Sequence, residues 1–170
     1  IFLALSTNKD DIFLLREAVH LDSGNTKNFD SLNYVAIDVM KSCIYKQISS
    51  KILDNIADTE EDNDIILKKT NIINDFIFIC YLLGNDFLPH IPSLDITKNG
   101  IDILIKKYSE TWSNLYDYCV DATLDDFSIN SNFLSMLLYS LACEEDDILI
   151  KKYHKKPYRR RCESTDPYDR

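Results

Sequence analysis

Glycine and proline are scarce, three and four in 170 residues, and no repeat of fixed period runs through the chain. Those scarcities, with 45% hydrophobic residues, ten Tyr and eight Phe, exclude collagen-like and low-complexity classes and leave enough apolar material for one ordinary globular core. No window reaches the ~20 uninterrupted apolar residues that a bilayer span requires. The longest such run, from Phe76 to Leu83, meets Gly84, so a membrane span is excluded. Five cysteines (Cys43, Cys80, Cys119, Cys143, Cys162) are odd in number and form no Cys-x-x-Cys. That pattern argues against a zinc site or disulfide framework and for reduced, mostly buried thiols in a cytosolic or nuclear protein. The start, Ile1-Phe2-Leu3-Ala4-Leu5, has neither Met nor a basic flank. It is no secretory signal and reads as a strand cut in mid-element, the beginning of a fragment.

Charge is unevenly spread. Residues 1–150 carry 11 Lys and Arg against 25 Asp and Glu, a balance of −14, whereas residues 151–170 carry 8 against 3, a balance of +5, giving the net −9. An acidic body repels a polyanion, so nucleic-acid binding must use a local basic strip or metal ions held on carboxylates. A strip exists in Lys151, Lys152, His154, Lys155, Lys156, Arg159, Arg160 and Arg161, with Tyr153 and Tyr158 interleaved. It suits either contact with phosphates or a solvated helix end running into a flexible tail.

Short apolar runs at Ile1–Leu5, Ile12–Leu15 and Tyr34–Ile37 read as strands. Beyond them the apolar period becomes helical: Val39, Cys43, Ile44, Ile48, Ile52 and Ile56 define one helix of four or five turns. The acidic stretch Asp58–Asp64 reads as a surface loop without a calcium site, because the required glycine and terminal glutamate are missing. From Ile65 to Leu83 the apolar residues are so dense that a central buried helix is expected, ending at Gly84. Two prolines in Asn85–Pro92 demand a fixed irregular turn, and Ser93 or Asp95 can cap the next helix. Ile101–Leu115 and Phe133–Leu149 predict two further helices, the second leading into the basic strip. The expected class is mainly α with a short N-terminal β portion, an α+β fragment with strands only in the first 40 residues or so.

One segment carries chemistry. Gly84-Asn85-Asp86 places an ionisable carboxylate at the mouth of the most hydrophobic segment. Such a carboxylate is either a cap or Asx-turn acceptor or a ligand of a hard cation such as Mg²⁺. Spacing leaves both open.

The string Phe76-Ile77-Phe78-Ile79-Cys80-Tyr81-Leu82-Leu83-Gly84-Asn85-Asp86-Phe87-Leu88-Pro89-His90-Ile91-Pro92-Ser93-Leu94-Asp95-Ile96 resembles the signature of the XRN family of 5′→3′ exoribonucleases. Gly100–Leu104, Ser128–Asn130 with Leu134, Leu5–Asn8 and Phe13–Glu17 resemble further stretches of that family. The resemblance extends over residues 1 to about 155. It implies the end of a PIN/FEN-like nuclease sheet packed by the family's helical domain: residues 1–40 the nuclease-domain edge, 41–155 the helical domain, and 156–170 a basic tail. It further implies hydrolysis of 5′-monophosphorylated RNA to mononucleotides inside the cell, in cytoplasm or nucleus. Clustered carboxylates would hold two Mg²⁺ or Mn²⁺ ions, with Asp86 a catalytic metal ligand. Asn85 would orient Asp86 or a metal-bound water, or else terminate the helix; His90 would contact substrate or satisfy a backbone carbonyl. Lys155, Lys156, Arg159, Arg160 and Arg161 are the candidate RNA contacts.

The family's Asp-x-Asp motif is absent, and Asp10 and Asp11 come too late to replace it. One ligand cannot hold two ions, so the isolated fragment is expected to be inactive. A flap-type endonuclease is disfavoured because no Gly-rich hairpin follows Asp86. A non-catalytic helical scaffold, with Trp112, Tyr116 and Tyr118 as a partner-binding face, is the reading from a different class.

Overall fold

A computed structural model of the chain describes residues 1–7, 9, 11–17, 32–57, 66–85, 87–122 and 126–154. It is mostly helical. In order come α1 (Phe2–Ser6), β1 (Phe13–Glu17), β2 (Leu32–Ala36), α2 (Ile37–Ala57), α3 (Lys69–Cys80), α4 (Gly100–Leu115), β3 (Val120–Ala122), β4 (Phe127–Ile129) and α5 (Ser131–His154). The acidic stretch Asp58–Asp64 lies outside the described residues.

Four-residue spacing decides what α2 buries: Ile44, Ile48, Ile52 and Ile56 form one stripe facing α3 and α4, as residues four apart share a helix face. In α4 the buried set is Leu104, Ile105, Tyr108, Thr111 and Trp112, and in α5 it is Phe133, Leu137 and Leu141. These residues join one core, in which the Tyr108 and Phe133 rings lie 5.4 Å apart. Asn130 opens α5 by accepting the Phe133 N–H on Oδ1 at 3.1 Å, as a helix N-cap does. Between α4 and α5, Lys107 Nζ donates to Glu144 Oε1 at 2.6 Å and lies 3.4 Å from Glu110 Oε2. Burial alone would lower the Lys107 ammonium, but the Glu144 hydrogen bond and the two carboxylate charges outweigh it and raise it above its ordinary value.

Several expectations are corrected. Ile1–Leu5 is not a strand: Phe2–Ser6 is helical, with Leu5 buried and the Phe2 ring 5.5 Å from that of Tyr81. A continuously apolar run has no period to separate the two states, and packing against α3 decides. Strands are not confined to the first 40 residues, because β3 and β4 form a second antiparallel pair; three residues each are too few to show alternation. β1 and β2 pair only with each other and antiparallel, and among the described residues nothing identifies a larger nuclease sheet. The thiols are not mostly buried: Cys80 and Cys119 are, whereas Cys43 and Cys143 are exposed, and these four are free. Cys162 lies outside the described residues.

The aromatic face proposed for a scaffold does not exist as a face. Trp112 is buried, and it packs edge-on against Tyr116 and Tyr118 at 5.7 and 6.0 Å. Tyr118 Oη accepts the Lys68 N–H, while Tyr116 closes α4 in a left-handed conformation. The three side chains finish a helix and brace the start of α3.

Candidate functional site

The turn after α3 is built around Gly84. α3 tightens into a 3₁₀ turn at Tyr81–Leu83, and Gly84 then takes φ +72°, with its N–H on the Tyr81 carbonyl at 3.0 Å. A Cβ here would lie 2.6 Å from the His90 backbone nitrogen and 2.8 Å from the Leu88 carbonyl oxygen. Glycine is therefore required twice, by the dihedral and by the returning chain. That return is hydrogen-bonded: Asn85 N–H donates to the Leu88 carbonyl at 2.9 Å, and Ile91 N–H to the Leu82 carbonyl at 3.1 Å.

Asn85 closes the turn from inside. Its Oδ1 accepts the N–H of Phe87 at 2.8 Å and of Leu88 at 2.9 Å, so the chain is clasped on both sides of position 86. This is an Asx turn, in which a short amide side chain takes the place of a backbone acceptor. Asp86 itself lies outside the described residues. His90 is exposed, and its imidazole has no hydrogen-bond partner among the described residues. Phe87 is 93% exposed.

Beyond the prolines, Asp95 is the cap that holds the approach to α4. Its Oδ1 accepts from the Thr97 hydroxyl at 2.6 Å and the Thr97 N–H at 3.0 Å, bonds that keep its carboxyl below the usual range. Asp95 thus caps the 3₁₀ turn Ile96–Lys98 rather than α4, which starts after Asn99 with no side-chain cap hydrogen bond. A Cβ on Gly100 would meet the Asp95 carbonyl oxygen at 2.8 Å and Leu83 Cδ2 at 2.9 Å, so α4 begins in close contact with the end of α3.

Sequence reasoning missed a second carboxylate. Asp75, within α3, is fully buried. Its Oδ2 accepts from Tyr108 Oη at 2.7 Å and Cys119 N–H at 2.8 Å, and its Oδ1 from Val120 N–H at 2.7 Å. It ties α3 to α4 and to β3. Burial pushes its carboxyl up to about 6 against the pull of these hydrogen bonds, and burial also raises the Tyr108 phenol well above its ordinary value. The signal was present: an Asp between Ile72, Ile73 and Phe76 falls on the stripe that points inward. The buried thiols of Cys80 and Cys119 are both pushed up to about 12 by desolvation, which removes them as nucleophiles at neutral pH.

Of the predicted site residues, Asn85 and His90 are among the described residues. Lys155, Lys156, Arg159, Arg160 and Arg161 lie outside the described residues, like Asp86. Among the described residues, no three His, Cys, Asp or Glu side chains are grouped to hold a metal ion. No helix among them is long and apolar enough to cross a membrane.

The model of the Xrn1 helical domain matches residues 67–168, more than half of the sequence and the part running from the start of α3 through α5. The chain belongs to that family. It is similar to 5′-3′ exoribonuclease 2 of Debaryomyces hansenii, 32% identical over 164 residues, covering 90% of this chain and 16% of that protein. It is also similar to the protein of that name from Arabidopsis thaliana, 27% identical over 176 residues, covering 89% of this chain and 17% of the relative. With the one from Candida albicans it shares 39% identity over 81 residues, 48% of this chain and 8% of the relative. The chain thus spans only about a sixth of the length of the relatives it matches most fully. The resemblance read from Phe76–Ile96 falls within the matched Xrn1 helical domain, and the α3–α4 turn is the segment that carries it.

Proposed function

We propose that the chain is part of a 5′→3′ exoribonuclease that degrades 5′-monophosphorylated RNA to mononucleotides, with Asp86 as a catalytic metal ligand. The observation that carries the reading is membership of the Xrn1 helical domain family, together with relatives named 5′-3′ exoribonuclease 2. The constrained neighbours of Asp86 support the reading. Gly84 and Asn85 hold the backbone before position 86, and the hydrogen bonds of the Phe87 and Leu88 N–H groups to Asn85 Oδ1 hold the backbone after it. Preorganisation of this kind keeps a ligand in place without ordering it at each turnover.

The described side chains alone do not form a divalent-cation site. In this reading Mg²⁺ or Mn²⁺ binds only where Asp86 joins acidic groups from elsewhere in a longer polypeptide, and the 170-residue chain by itself does not hydrolyse RNA. Residues 1–40 then belong to the edge of the nuclease domain and 41–155 to the helical domain. Asn85 is a positioning residue, His90 lies beside the substrate path, and the basic residues Lys155 to Arg161 contact phosphates. In the full-length enzyme, Asp86→Ala should abolish release of mononucleotides from 5′-monophosphorylated RNA while leaving the melting temperature within a degree or two. Retained turnover would overturn the assignment.

A further inference from the structure

Among the described residues, β1 and β2 form a two-stranded ribbon with one exposed apolar face. The register sets Phe13 opposite Ala36, Leu15 opposite Tyr34, and Glu17 opposite Leu32. Directly opposed residues project from the same side of an antiparallel pair, so Phe13, Leu15, Leu32 and Tyr34 share one face. They are 58%, 57%, 46% and 73% exposed, whereas Leu14, on the other side, packs against the core. A two-stranded ribbon is marginal in water without a covered apolar face, and contiguous apolar patches mark contact surfaces.

We propose that this face is an internal docking surface, packed in the intact enzyme against an uncharged apolar surface elsewhere in the same polypeptide. The inference rests on the proposed function, in which the chain is one portion of a longer enzyme. Three observations favour this occupant. The relatives are about six times as long as the chain, which covers 16% of one of them. Of the six residues that the register places on this side, Phe13, Leu15, Leu32, Tyr34 and Ala36 are uncharged and only Glu17, at the end of β1, is charged; that charge is negative, so the face suits an apolar partner and gives a polyanion nothing to hold. The ribbon is also anchored rather than loose: Ile37 N–H donates to the Ile12 carbonyl at 3.0 Å, and Asp11 N–H to Asp38 Oδ2 at 3.3 Å. α1 is tied to the same helix through Lys41 Nζ and the Thr7 carbonyl at 2.6 Å, and it turns Leu3 outward, 86% exposed.

The test is the pair Leu15→Lys with Tyr34→Glu, placed in both the full-length protein and the 170-residue chain. Opposite charges across the ribbon favour its pairing while making its face polar. The short chain should melt nearly as before, and the full-length protein at least ~2 °C lower. Equal losses in both would overturn the proposal, because the face would then be covered within this chain. So would no loss in either, or lost RNA affinity at unchanged melting. A short chain that sediments as a dimer, dispersed by the substitutions, would overturn it in favour of a second copy. If the charged full-length variant does not fold, Leu15→Thr with Tyr34→Thr must reproduce the same ordering. The Asp86 experiment reads turnover and this one reads melting, so each fails independently of the other.

Discussion

Three donors and no cation face Asp75 among the described residues. Its carboxylate is therefore held by hydrogen bonds rather than by an ion pair, and burial governs its titration. Asp75→Asn should destabilise the chain by ~1–3 kcal/mol at neutral pH, because an amide turns one of its N–H groups toward a donor and leaves a buried bond unmade. The pH dependence has a definite sign. The folded form keeps its proton up to about pH 6, against 3.8 for the ordinary group, so the native state binds more protons than the unfolded chain between those values. This group's contribution to stability is greatest below about pH 4 and declines as pH rises through 6, at no more than ~1.4 kcal/mol per pH unit. Urea unfolding of both proteins from pH 4 to 7 checks it: the gap between wild type and Asp75→Asn should narrow as pH rises. A gap that widened would mean the hydrogen bonds, and not burial, govern the group.

For the helices, the period of the sequence decides which residues matter. Ile52 and Leu53 are neighbours on α2, yet Ile52 is buried and Leu53 is half exposed. Ile52→Ala should cost ~2–5 kcal/mol in chemical denaturation and Leu53→Ala within about 0.5 kcal/mol. Equal effects would contradict the packing of α2 on α3 and α4. That stripe, the ends of α4 and the stop at Gly84 were legible from sequence because each follows a local rule. α1 was not legible: five apolar residues fit a strand or a helix equally, and the Phe2–Tyr81 contact that selects the helix lies far off in sequence. The β3–β4 pair was hidden for a related reason, since Cys119 and Val120, at the start of β3, are held by Asp75, some 45 residues earlier. At the site, the need for glycine at position 84 was readable as a helix stop, but the close pass of His90 behind it was not. Asn85 could be read as a turn residue, whereas its bonds to Phe87 and Leu88 required coordinates.

Across the whole molecule, the −14 balance of residues 1–150 and the +5 of residues 151–170 are joined by α5, which carries the chain as far as His154. If the terminal cations contact RNA, replacing Lys155, Lys156, Arg159, Arg160 and Arg161 with Gln in the full-length enzyme should flatten the dependence of binding on salt. The slope of log affinity against log salt should shrink by ~0.7 for each phosphate no longer neutralised, and an unchanged slope would reject the role. The burial of Trp112 has an optical consequence. It is the only tryptophan in the chain, it sits among the side chains joining α4 to α3, and its indole N–H finds no acceptor among the described residues. Excitation at the red edge of its absorbance should give short-wavelength emission from the native fold, shifting toward the red as water reaches the ring. A single fluorophore thus reports the opening of this helical junction.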